Sequence, residues 1–181
     1  MSQLCKILLL LLMFNLKIFA QQYTEYELKS AYLFNFAKFV EFPESTFSSS
    51  KDPFIIGVYG NESFLDILQN IIKGRTINNR NVIAISITQP SEMLNCQIIF
   101  FSKLSPTEVT MLLEFIGNRP ILTVADNIED FCQNGGMINF LPQHSQKRFE
   151  INPNAAQRAK ISISSKLLIL SRIVNDKDVK F

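Results

Sequence analysis

The sequence predicts an α/β fold: a single three-layer domain with a mostly parallel sheet, helices on both faces and a terminal antiparallel hairpin. Three observations lead there. Short, almost continuous apolar runs such as Phe54–Tyr59 (FIIGVY) suit strands covered on both faces. Amphipathic stretches with helix start and stop residues alternate with those runs across short links. After the fourth repetition the alternation gives way to two strand-like runs, 137–141 and 148–151, joined by the polar link 142–147. A strand, a crossover helix and another strand dictate a parallel pair with a right-handed connection, whereas two runs joined by a short link dictate a hairpin.

The opening stretch, 23–43, is rich in aromatic residues, and Leu28, Ala31, Tyr32, Phe36 and Phe39 recur at helical spacing, as expected of a core-facing stripe. Leu33, Phe34 and Val40 lie off that stripe, so the helix is apolar on more than one side and is expected to be deeply buried or to present a second contact surface. Thr24 with Glu27 forms a capping box at its start, and Pro43 ends it. A serine-rich loop over 44–51 leads into the first strand, 54–59. Gly60-Asn61 turns the chain into a helix carrying Phe64, Leu65, Ile67, Leu68, Ile71 and Ile72, with Gly74 as a left-handed cap. Val82–Ile87 and Gln97–Ser102 are the next strands. Ser105-Pro106-Thr107-Glu108 combines a cap, a first-turn proline and a third-position acid, and so begins a helix that ends at Gly117. The fourth strand is 121–125, followed by a short helix over 127–133 and a tight turn at Gly135-Gly136. After the hairpin, Asn152-Pro153 starts a helix through Arg158. Ser162 or Ser164 starts a last one, with Leu167, Leu168, Leu170, Ile173 and Val174 as its apolar set. The tail, 175–181, is charged and is expected to fray.

Residues 1–20 read as a secretory signal peptide: Lys6 gives a positive start, 7–16 an apolar run, and Ile18-Phe19-Ala20 a small-residue cleavage site. The run is short for a membrane span, and no later window is apolar enough to make one. The expected product is an exported domain, 21–181, with no stable membrane insertion. Its formal charge is zero, because Lys6 and Lys17 are lost from 18 basic residues and all 16 acidic ones remain. That balance disfavours nucleic acid as a partner. The charge is unevenly spread: from Lys147 onward there are 8 basic and 3 acidic residues.

Cys96 and Cys132 remain after processing, and an exported chain can pair such a couple or bury them as two small apolar groups.

Enzyme chemistry finds little foothold. The turn after the first strand lacks the third glycine of a dinucleotide fingerprint and the Gly-Lys-Ser/Thr of a phosphate loop, and Glu62 would repel a phosphate. His144 is the only histidine, and no Asp/Glu cluster has metal-ligand spacing. Asp126, at the end of the fourth strand, stands where an α/β enzyme places an acid, but it stands alone and also suits a helix cap. No enzyme activity, cofactor or metal is expected. A small ligand, if one binds, is expected at a polar pocket among Gly60, Asn61, Ser102 and Asp126.

EYELKSAYLFNFAKFVEFP at 25–43, PFIIGVYG at 53–60, CQIIFFS at 96–102, ILTVAD at 121–126, GGMINF at 135–140 and RFEINPNAAQRAKISISSKLLIL at 148–170 together resemble the YfiR-like family of periplasmic proteins. The resemblance covers nearly all of 21–181 in order. It implies a periplasmic α/β regulator that represses an inner-membrane diguanylate cyclase by binding its periplasmic region, lowering cyclic di-GMP and biofilm formation. A membrane sensor kinase is the alternative partner. Family members controlled through several disulfides carry more cysteines than the pair here. Exposure logic adds a candidate contact surface. Arg148 and Glu150 are expected to point outward from an edge strand, with Arg158, Lys160 and Arg172 as a basic flank.

Overall fold

The computed structural model describes residues 25–176. The leader assigned to 1–20 and the capping residue Thr24 lie outside those residues. The opening helix α1 occupies residues 25–38 of the described chain and leads into a two-residue strand, β1 (Val40–Glu41). Then follow β2 (Phe54–Tyr59), α2 (Glu62–Ile72), β3 (Thr76–Ile77), β4 (Arg80–Ser86), β5 (Ile98–Phe101), α3 (Pro106–Ile116) and β6 (Leu122–Asp126). The chain ends with β7 (Ile138–Phe140), β8 (Phe149–Ile151), α4 (Pro153–Arg158), β9 (Ser162–Ile163), α5 (Ser165–Leu170) and β10 (Arg172–Ile173).

Eight strands form the main sheet in the order β10-β8-β7-β6-β5-β2-β4-β3, and only β7–β8 and β3–β4 pair antiparallel. The predicted α/β class, with a mostly parallel sheet and an antiparallel hairpin, is the fold observed. Strand order runs one way from β2 to β4 and the opposite way from β5 to β6. Crossovers of one hand must then lie on opposite faces, and they do. Phe64, Leu68 and Ile72 of α2 join the core of the first face, with Leu33, Phe36 and Ala37 of α1 and Ala155 and Ala156 of α4. Val109, Leu113 and Ile116 of α3 join the second face, with Met93 from a 3-10 turn and with Phe131.

The predicted starts of α3, α4 and α5 hold. Ser105 Oγ accepts from Glu108 N while Glu108 returns a carboxylate oxygen to Ser105 N at 2.8 Å. Asn152 caps α4 as expected, and of the two serines offered for α5 it is Ser164 that caps it. Gly74 is left-handed (φ 71°) just beyond α2. Gly135 is left-handed too (φ 96°), and the Phe131 ring sits where a Cβ on Gly136 would be, 2.2 Å away.

Five expectations need correction. The opening helix stops at Lys38, before Pro43, because Val40 and Glu41 are extended and pair with β9. The buried side of α1 is turned relative to the predicted stripe: Leu33, Phe34, Phe36 and Ala37 are buried, while Leu28 and Phe39 are 46 % and 39 % exposed. The expected helix over 127–133 is a run of turns, because Asn127 and Asp130 take left-handed backbone (φ 53° at each) that no α-helix accommodates. The last helix stops at Leu170, and Ile173 belongs to a strand: Ser171 is extended and β10 pairs with β8. β8 is therefore an inner strand, with β10 at the edge.

Candidate functional site

The carboxyl ends of β2 and β5 are where connections leave in opposite directions, the usual ligand crevice of an open α/β sheet. Here the chain fills the crevice itself. Gly60, left-handed at φ 89°, lets its backbone lie so close to β5 that a Cβ there would sit 2.1 Å from the Ser102 carbonyl oxygen. The Asn61 side-chain oxygen Oδ1 accepts from Phe64 N at 3.2 Å, which caps the start of α2. Its amide donates to Ser102 Oγ and to Tyr26 Oη of α1, each at 3.2 Å. Ser102 Oγ donates to Asp126 at 3.4 Å, and Lys29 of α1 donates to the other Asp126 oxygen at 2.5 Å. Lys29 also pairs with Glu25, whose second oxygen accepts from Gln143 at 3.0 Å. Asp126, read from sequence as a lone acid, is thus an anchor for α1. Burial pulls the Lys29 pKa down, but the carboxylates of Asp126 and Glu25 outweigh it and the net shift is upward.

Sequence reasoning found Asn61, Ser102 and Asp126 by their place at strand ends, but missed Lys29 and Tyr26. Glu25 and Lys29 stand four apart on one helix face, and that charge pair was the available signal.

The five contact candidates separate into distinct environments. Glu150, expected to point outward, is 2 % exposed: both faces of the sheet are covered, so alternation turns it from one core toward the other. Its carboxylate accepts from Asn139 Nδ2 at 3.1 Å and from Arg172 Nε at 3.2 Å, and the second Arg172 contact comes from Nη2. Arg172 itself remains largely open, with a side chain 57 % exposed. Arg158 is half-buried and holds Asp176, which also accepts from Asn152. Desolvation pushes the Asp176 pKa up, but Arg158 and Asn152 overcome it and the carboxyl lies below its usual range. The start of the tail is therefore anchored at Asp176. Arg148 is exposed, donating to the Gln143 carbonyl at 3.0 Å. Lys160 is exposed beside an open groove of about 430 Å³ between α4 and α5, lined also by Ala156, Ile163 and Leu168.

Cys96 and Cys132 are both free, buried thiols in the structure. The Cys96 sulfur is 2.9 Å from where a Cβ on Gly57 of β2 would lie, and the Cys132 sulfur approaches the Glu150 carbonyl of β8 at 3.8 Å. β2 and β8 are four places apart in the sheet. At about 4.8 Å per step they are far beyond the reach of a bridge. Burial, with Glu92 nearby, pushes the Cys96 thiol up to about 12, and burial with Glu150 raises Cys132 well above its ordinary value. Neither thiol should therefore react with an alkylating reagent at pH 8 in the native chain, and both should react in guanidinium chloride. Peptide mass mapping checks this; label on the native chain, or a Cys96–Cys132 linked peptide, would contradict it.

No helix among the described residues is long and apolar enough to cross a membrane. Fold and site together describe an α/β domain whose usual ligand crevice is closed by its own first helix and whose last third presents cations. A family model, YfiR/HmsC-like, matches residues 26–172, and the chain belongs to that family. No curated protein matches it closely.

Proposed function

We propose that this chain is a periplasmic regulator that binds the periplasmic region of an inner-membrane signalling protein, a diguanylate cyclase, and represses its cytoplasmic output. The single observation carrying this reading is the family match across 26–172, which takes in α1 and nearly all of the sheet. The filled crevice supports it: Tyr26, Lys29 and Asn61 occupy the place a small ligand would take at this end of the sheet. Among the predicted contact residues, Arg148, Lys160 and Arg172 are open to a partner, whereas Glu150 and Arg158 position their neighbours.

The mechanism is a population shift. A regulator silences a receptor only by binding its inactive state more tightly than its active one. Moving a receptor from about ten-to-one active to ten-to-one inactive needs about a 100-fold difference in affinity. Deleting the gene should raise cyclic di-GMP and biofilm formation, and expression in trans should reverse both. A change in phosphorylation output with cyclic di-GMP unaltered would point to a sensor kinase partner. No change in either output would refute the regulatory reading.

A further inference from the structure

We infer that the open edge of β10, flanked by Ile169, Leu170 and Ile173, is a docking strip on which an extended acidic segment of the signalling protein adds as a further strand. The inference deepens the regulatory reading and rests on it. Its first support is the backbone. Val174 N donates to the Ile151 carbonyl of β8 at 2.9 Å, so the intervening residue Ile173 directs its own N–H and C=O away from the sheet. Among the described residues no strand lies outside β10. The opposite edge is different in character, since Ile77 of β3 is 4 % exposed.

The second support is apolar surface. Ile169, Leu170 and Ile173 are 75 %, 60 % and 50 % exposed within five residues of chain at the junction of α5 and β10. Edge strands are usually blunted or covered, so an open edge beside bare isoleucines is the arrangement that strand addition requires.

The third is charge, and it selects the occupant. Both acids of residues 147–176 are spent internally, Glu150 on Arg172 and Asp176 on Arg158. Lys147, Arg148, Lys160 and Lys166 make no ion pair among the described residues. Two of these frame the strip: Lys147 donates to the Ile169 carbonyl at 3.0 Å, and Lys166 lies one turn before Ile169 and Leu170 on α5. A second copy of this chain would bring the same cations against them and be repelled. A strand alternating apolar and acidic residues meets both features.

The test uses the purified chain and two fluorescent peptides, one alternating Val with Glu and one alternating Val with Lys. Anisotropy titration should show the acidic peptide binding at least about tenfold more tightly than the basic one. Ile173→Pro removes the outward N–H together with one exposed apolar side chain of the strip, and proline is tolerated at such an edge position, so it should abolish binding while the thermal melt stays near that of the parent. Should that variant misfold, Lys147→Glu with Lys166→Glu, both at exposed positions, carries the test and should reverse the peptide preference. Met111→Glu, on the exposed face of α3, should change nothing. Equal binding of the two peptides, absence of binding, or indifference to the strip variants overturns the inference. The two readings can fail separately. An altered cyclic di-GMP level on deletion without peptide binding rejects the strip alone; peptide binding with no output change rejects the regulatory role alone.

Discussion

Replacing Phe36 with alanine should lower the free energy of unfolding by about 4 kcal/mol, within the usual span for a buried phenylalanine. Phe36 has no exposed surface and stands on α1 over the terminal hairpin. Its ring lies 5.6 Å from that of Phe140 on β7, stacked, and 5.1 Å from that of Phe149 on β8, edge-on, with Tyr32 beside it at 6.1 Å. Truncation removes these aromatic contacts and leaves a cavity between helix and sheet. The rigid neighbouring rings cannot collapse into it. Phe39→Ala is the internal control: that ring is 39 % exposed, so its loss should cost about 1 kcal/mol or less. Urea titration followed by circular dichroism reads both, because the chain has no tryptophan to report by fluorescence. Equal costs for the two variants would mean that α1 is not seated on the hairpin as described.

That seating also shows what could be read from the residues and what could not. β2 coincides with the apolar run 54–59, the turn at Gly60-Asn61 leads into α2, and the caps at Ser105 and Asn152 are where the side-chain chemistry placed them, with Ser164 the one of two offered serines that starts α5. These features depend on neighbours in the sequence. The errors lie where a distant partner decides. Ile173 and Val174 continue the helical spacing of α5, yet Ser171 is extended and Arg172 is drawn to the buried Glu150. Local periodicity contains no information about that ion pair. In the same way, aromatic residues surround α1 so fully that spacing alone could not choose which side meets the sheet, and Phe140 and Phe149 made the choice. β3 was legible but overlooked: Asn78 and Asn79 both take left-handed backbone (φ 49° and 63°), forming the two-residue turn of a hairpin into β4. For the site, strand ends marked Asn61, Ser102 and Asp126 correctly as a cluster. The sequence could not say that a helix nearly a hundred residues away from Asp126 would close it (Lys29 and Asp126 are 97 apart).

Closure of the crevice depends on Lys29, and Lys29→Met should cost about 3 kcal/mol at pH 7. The lysine and Asp126 side chains are each only 12 % exposed, so removing the cation strands a poorly hydrated carboxylate against Ser102. Methionine keeps most of the aliphatic stem, which separates lost charge from lost packing. Adding Asp126→Asn should recover much of the loss, because the stranded charge goes with it, and the pair would then show a large coupling in a double-mutant cycle. The pH dependence gives an independent check. The Lys29 pKa is raised on folding, so the native state holds that proton more tightly than the unfolded chain. Its contribution is therefore complete below the ordinary lysine value of 10.5 and disappears as pH rises through the higher folded value. The stability gap between parent and Lys29→Met should accordingly be constant through neutral pH and narrow only in strong alkali. A gap that already closes near neutrality, or a double variant no better than the single one, would mean that Glu25 and Asp126 do not hold the first helix through this lysine.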